Sequence, residues 1–99
     1  MSEMENRKAE APTISLDLYV AGSTANSCRA KLNLESIVAK LNFPYTLQVV
    51  DVIQSPKLAW ERRIFATPSL ILTFRAQKIL IVGDLSDHDA VLSALRGKE

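Results

Sequence analysis

A Thr-Pro pair followed by two short apolar runs constrains this chain more than any other feature. Residues 65–84 read FATPSLILTFRAQKILIVGD. "PSLILTF" and "KILIVG" are rich in β-branched residues and leucine, and only Arg75, Ala76 and Gln77 separate them. That pattern is a β-hairpin with strands at 69–74 and 78–82. Pro68 fixes a bend where the first of these strands begins, and Gly83-Asp84 ends the second.

The rest of the chain supplies what such a hairpin pairs with. "TISLDLYVAG" predicts a strand over 14–20, apolar enough to be central, with Gly22 ending the run. Leu34, Ile37, Val38 and Leu41 recur at helical spacing and predict an amphipathic helix over 26–41, capped by a Ser, Thr or Asn among 23–27. Arg29, Asn33, Ser36 and Lys40 fall on its opposite, outer face. "NFP" turns the chain, and 45–53 reads as a second strand. Ser55 as cap and Pro56 at the first helical position predict a short helix over 56–65. Ser86 with Asp89 three residues on predicts a capped final helix over 86–96, whose apolar face holds His88, Val91, Leu92 and Leu95. The order is β-α-β-α-β-β-α. A parallel βαβ unit followed by an antiparallel hairpin, with helices on both faces, is the thioredoxin-like α/β arrangement.

The chain has 99 residues, which suits one domain. Residues 1–12 are polar, charged and proline-containing and read as a flexible N-terminal arm; 13–99 form the domain. The formal net charge of +1 argues against a dedicated nucleic-acid binder. "MSEMENRKAEAPT" has no apolar stretch of the kind a signal peptide needs, and no run reaches membrane-spanning length. A cytoplasmic protein is expected.

Chemistry is sparse. Cys28 is the only cysteine, so an intramolecular disulfide cycle has no resolving thiol. It reads as a small packing residue in the first turn of the helix, with a one-thiol mechanism using glutathione as the alternative. Asp84, Asp87, His88 and Asp89 resemble a metal-ligand cluster, but capping and helix-dipole preferences account for the acids. No metal or other cofactor is expected. Trp60 has two open readings, a core residue or a partner-facing anchor. No Ser-His-Asp set, phosphate loop or carboxylate pair stands out, and the chain reads as a non-enzyme.

Three segments in order carry a family resemblance. "LYVAGSTANSCRA" (18–30), "VVDVIQSPKLAWERRIFATPSL" (49–70) and "GDLSD" (83–87) are similar to the motifs of the KaiB family of circadian-clock proteins. The resemblance spans about 14–96. It implies a non-enzymatic regulator that binds the N-terminal ring of a KaiC-type RecA-like ATPase. It implies further that KaiA, or a clock histidine kinase bearing a KaiB-like sensor domain, belongs to the same pathway. It also implies two interconvertible folds: a tetrameric ground state ordered βαββααβ and a monomeric thioredoxin-like state that binds KaiC. The implied partner-binding residues are Arg29, Lys31, Asn33 and Lys40, with Trp60 next, and the implied fold-switch region is Thr67, Pro68, Gly83 and Asp84.

Several residues depart from the family pattern. Cys28 stands where clock members have valine, and Trp60 replaces an acid. "FRAQKILI" lacks the family's prolines and has Ile79 and Leu80 at its arginine positions. An N-terminal arm is added, and an acidic C-terminal tail is missing before Glu99. These changes suit a divergent KaiB-like paralogue. Because the hairpin segment no longer carries strand-breaking prolines, the thioredoxin-like monomer is the expected state. A partner-sensing module of a signalling system outside any clock is the further alternative.

Overall fold

Alternation along Ile14–Val20 sets the architecture. Ile14, Leu16, Leu18 and Val20 are all buried on one side of this strand, β1. Ser15, Asp17 and Tyr19 point to the other side. A strand with one face fully buried and the other largely covered belongs in the middle of a sheet, and β1 lies there. In the computed structural model, which describes residues 13–42 and 44–96, the sheet order is β2-β1-β3-β4, with β2 spanning Tyr45–Asp51, β3 Ser69–Phe74 and β4 Gln77–Val82. β1 runs parallel to β2, with Leu16 beside Leu47, and antiparallel to β3, with Leu18 beside Leu70. The hairpin pairs β3 with β4 from Ser69–Val82 to Phe74–Gln77. The mixed α/β, thioredoxin-like fold read from the sequence is the fold of the molecule. The charged arm at 1–12, the middle of the turn at 42–44 and residues 97–99 lie outside the described residues.

Three helices complete the order: α1 (Ala25–Val38), α2 (Pro56–Glu61) and α3 (His88–Arg96). Ala30, Leu34, Ile37 and Val38 of α1 meet Val91, Leu92 and Leu95 of α3 over the even-numbered side chains of β1 and Leu70 and Leu72 of β3. This cluster is the core. Burying each such leucine, isoleucine or valine stabilises the fold by about 1.5–3 kcal/mol before chain entropy is counted.

Each helix departs locally from its sequence-based boundaries, for identifiable reasons. At the start of α1, Thr24 occupies the cap position without a side-chain cap bond. The hydroxyl at this corner is instead the fully buried Ser27, whose Oγ accepts the Ala21 N–H at 3.0 Å. α1 ends at Val38 rather than 41. Lys40 and Leu41 donate to Ile37 and Val38, a tightening to i→i−3 bonds.

α2 stops at Glu61, four residues before the predicted end. The Arg63 N–H bonds the Trp60 carbonyl and the Ile64 N–H bonds the Ala59 carbonyl, at 3.1 and 2.9 Å. That bond pair is a Schellman motif. Its left-handed residue is Arg63, with φ 59°, where glycine is the usual occupant. Ser55 makes no side-chain cap bond. α3 begins at His88, two residues late, because Asp87 rather than Ser86 is the cap: its Oδ1 accepts the Ala90 N–H at 3.1 Å. Asp89 in the first turn and Arg96 in the last turn complement the helix dipole. β2 ends at Asp51, two residues before the predicted limit, because Val52 and Ile53 enter a turn held by the Asp51 carboxylate.

The hairpin turn has two residues, Arg75 and Ala76. Only Arg75 has positive φ, at 58°, which is the type II′ pattern. Its guanidinium lies 5.2 Å from the centre of the Phe74 ring.

Candidate docking surface

Two groups of residues that sequence reasoning kept apart meet in the structure. Arg29 Nε pairs with Asp84 Oδ2 at 3.2 Å, and Arg29 also bonds the Asn26 side chain. Asn33 Nδ2 donates to the Asp84 carbonyl at 2.7 Å. Asn33 Oδ1 is therefore the acceptor for His88 Nε2, 3.0 Å away. So Arg29 and Asn33, expected on an outward partner-binding face, bind the loop between β4 and α3. The cause is simple: α3 packs beside α1, and its approach gives this stripe an intramolecular contact, while the Arg29 side chain stays 55% exposed. His88 likewise leaves the apolar face of α3 for Asn33.

The same loop holds strain. Leu85 has φ 63°, rare for a bulky side chain, yet its side chain is buried in the core. Asp84 Oδ1 accepts the Ser86 N–H at 3.0 Å on one flank, and Asn33 holds the Asp84 carbonyl on the other. Surroundings that over-determine a conformation are what such a residue requires. Pro68, buried after a cis Thr67–Pro68 bond, accepts the Gly83 N–H on its carbonyl at 2.9 Å. The structure thus joins Thr67-Pro68 to Gly83-Asp84.

Hydrogen bonds from the Ser86 hydroxyl and N–H, and then the Arg29 guanidinium, hold the Asp84 carboxyl below its ordinary 3.8. Asp51 is lowered as well, chiefly because its Oδ1 accepts the N–H groups of Gly22 and Ile53 at 3.0 and 2.9 Å. A carboxyl depressed by folding adds stability above its unfolded pKa and loses it as pH falls through the folded value. Stability should therefore decline below about pH 4, near the carboxylate reference range. Asp84→Asn should be less stable than the parent at pH 7 and show a shallower acid decline. Urea midpoints from pH 2.5 to 7 check this, and an unchanged slope would show that Asp84 is not one of the groups that titrate.

The remaining predicted positions stay at the surface. Lys31 and Lys40 are exposed, with Lys31 close enough to Asp51 to help hold its carboxyl down. Trp60 is 76% exposed, which excludes its core reading. Sequence reasoning missed its companion. Phe65 is 80% exposed, and with Trp60 and Arg63 it lines a depression of about 340 Å³. The Schellman turn brings these three side chains together, and no sequence signal marked it. Lys57 and Arg62 are also exposed nearby along the chain, against Glu61.

Arg62 looks the other way, toward the sheet. Its NH1 donates to the Tyr19 hydroxyl at 2.6 Å and lies 3.8 Å from Asp17 Oδ2. That hydroxyl, ahead of Asp17, raises the guanidinium pKa above its usual range. The contact fixes α2 to the sheet face opposite α1 and α3.

Cys28 is exposed, which corrects its reading as a packing residue; its Sγ lies 3.7 Å from the Ser23 carbonyl. Among the described residues no group of three or more His, Cys, Asp and Glu side chains could hold a metal. Asp84 is engaged by Arg29 and Asp87 as the α3 cap, and Asp89 lies in the first turn of α3. Nor is any helix among those residues long and apolar enough to cross a membrane.

A cis-proline loop beside a sheet of this order, with a single thiol at the first helix, defines a thioredoxin-like scaffold without the dithiol. Malarial thioredoxin-2 superposes with a TM-score of 0.76 over 89% of this chain and 85% of its own, at 12% identity. The N-terminal domain of SasA from Synechococcus elongatus superposes with a TM-score of 0.72 over 88% of this chain and 83% of its own, at 25% identity. The KaiB domain model matches residues 17–97, and the chain belongs to the KaiB family. Circadian clock oscillator proteins KaiB from a Picosynechococcus species and from Nostoc punctiforme are each 45% identical over 84 residues. That is 84% of this chain and 81% of each relative. Both relatives are named as circadian clock oscillator proteins.

Proposed function

We propose that this protein is a non-enzymatic KaiB-like regulator that docks on a KaiC-type RecA-like ATPase ring and modulates clock or signalling output. Family membership supports the class of partner. The observation that carries the docking surface is the exposed pair Trp60 and Phe65 around Arg63. Exposed aromatic clusters rimmed by charge mark interaction sites, and Trp and Arg are enriched where binding energy concentrates. Lys31 and Lys40 add positive charge on the exposed side of α1 and steer association. Arg29 and Asn33 act indirectly in this reading, by holding the Gly83-Asp84 loop in the thioredoxin-like arrangement. KaiA or a clock histidine kinase then responds to the complex.

Two observations favour second readings. The exposed Cys28 at the first turn of α1 suits single-thiol redox chemistry with glutathione. The likeness to the SasA domain suits a partner-sensing module detached from a clock. One experiment separates these. The full chain is mixed with a purified KaiC-type hexamer and ATP, and complex formation is followed by size exclusion. Insulin reduction with glutathione is assayed in parallel on the parent and on Cys28→Ser. A complex that Cys28→Ser leaves intact, with no reductase activity, is the expected result. Reduction that disappears in Cys28→Ser, with no complex, would overturn the regulator reading.

A further inference from the structure

On the sheet face away from α1 and α3, the end of α2 and the strands border a cavity of about 520 Å³. Small-molecule sites usually measure about 300–1,000 Å³. Strand register orders its floor. Ser15 of β1, Thr73 of β3 and Lys78 of β4 form one row across the sheet. Asp17 and Ile71 lie in the next row, and Tyr19 lies in the third, about 13 Å along β1 from the first. Arg62 is bonded to the Tyr19 hydroxyl and Arg63 follows it in the Schellman turn, so both arginines stand at the Tyr19 end of the lining. Charge along the cavity therefore runs from basic at Arg62 and Arg63, through the acid Asp17, to basic at Lys78. Glu61, at the end of α2, is the other acid of the lining.

Unspent hydrogen-bonding capacity follows the same order. Tyr19 is fully buried, and its hydroxyl accepts from Arg62 at 2.6 Å, but its own O–H meets no acceptor among the described residues. Arg62 spends one N–H there and has others left. In the middle, the Asp17 carboxylate is 19% exposed, and its one charged neighbour among the described residues is the Arg62 guanidinium at 3.8 Å, beyond hydrogen-bond distance. The side chains of Arg63, Lys78, Ser15 and Thr73 have no ion pair or hydrogen bond among the described residues. Donors at both ends call for an anionic group at each, and a carboxylate between them calls for hydroxyls, which carboxylates bind in sugar-recognising sites. We propose that this cavity binds a small polyhydroxy compound with a phosphate at each end, the class of sugar bisphosphates. One phosphate takes the Tyr19 O–H and the guanidinium groups of Arg62 and Arg63. The other takes the Lys78 ammonium and the Thr73 hydroxyl, and Asp17 accepts from the hydroxyls between them. A phosphate offers three acceptor oxygens, which suits three donors at the Tyr19 end. Ile71 is aliphatic and the Tyr19 ring is buried, so a nucleobase finds no aromatic face to stack on.

The cavity shares only Arg63 with the Trp60–Phe65 depression, so Tyr19 and Lys78 test it apart from the docking surface. The full chain is titrated with fructose 1,6-bisphosphate, fructose 6-phosphate, inorganic phosphate and ADP, and backbone amide shifts report both affinity and place. The bisphosphate should saturate, at least about tenfold more tightly than the monophosphate, with shifts at Ser15–Tyr19, at Arg62 and Arg63, and at Thr73 and Lys78. Lys78→Gln should weaken the bisphosphate about tenfold and leave the monophosphate unchanged, because it removes one charged end. Tyr19→Phe should weaken both. Lys78 is exposed, so its variant keeps the test decisive even if Tyr19→Phe fails to fold. Lys40→Gln, a cation outside the cavity, should change neither. Inorganic phosphate that binds as tightly as the bisphosphate, or amide shifts that do not saturate or that map outside the cavity, would overturn the proposal. ADP binding more tightly than the bisphosphate would overturn the sugar assignment.

Discussion

Replacing both Trp60 and Phe65 by alanine is expected to abolish measurable binding to a KaiC-type ring while leaving the fold intact. Both side chains are more than three-quarters exposed, so truncation removes no core contact. Aromatic anchors at the centre of an interface typically contribute about 2–4 kcal/mol each. A single substitution should therefore weaken binding by roughly 30- to 1,000-fold. Lys40→Glu, a charge at the periphery, should instead slow association and change its salt dependence with little effect on dissociation. Biolayer interferometry against the immobilised hexamer reads all of these. Circular dichroism of the double variant should match the parent. Unchanged affinity in both single variants would move the interface to another surface.

Leu18→Ala should have the largest effect on stability. Leu18 is fully buried in the central strand, between Val49 of β2 and Leu70 of β3. Removing its side chain costs the transfer free energy and leaves a cavity, together about 2–5 kcal/mol. A small domain has about 5–15 kcal/mol in total, so this one change removes a large share. Leu32→Ala is the matched control, because Leu32 is 64% exposed on α1 and should cost within about 0.5 kcal/mol. Urea unfolding midpoints of the two variants check the contrast. Equal losses would mean that β1 is not the centre of the core.

The order of elements was legible because hydrophobic period is a local property. β1 alternates and α1 repeats at helical spacing, and each is set by residues within the element. The boundaries were less so, because they depend on conformations that residue type does not announce. α2 ends on a left-handed arginine, where glycine or asparagine would have marked the stop. α3 is capped by Asp87, beside an equally good sequence candidate, Ser86. The candidate site divides in the same way. Exposure of Trp60 could be raised from sequence as one of two readings, but its pairing with Phe65 depends on the Schellman turn. Arg29 and Asn33 were legible as surface residues, because an amphipathic helix presents them outward, but not as partners of the β4–α3 loop. Their engagement with Asp84 and His88 is a contact across more than fifty residues of sequence, created by the packing of α3 beside α1.

Residues 56–96 form a short helix, a hairpin and a final helix. Local preference and packing agree on this arrangement: the type II′ turn at Arg75-Ala76, the Asp87 cap, and the contacts of Arg29 and Asn33 with the Gly83-Asp84 loop. Two packings of one sequence differ by only a few kcal/mol in proteins that switch folds. Backbone carbon chemical shifts of the full chain test the arrangement most directly. The expected result is strand shifts over 69–74 and 77–82, with helical shifts over 88–96. Helical shifts across 69–82, or strand shifts across 88–95, would contradict it.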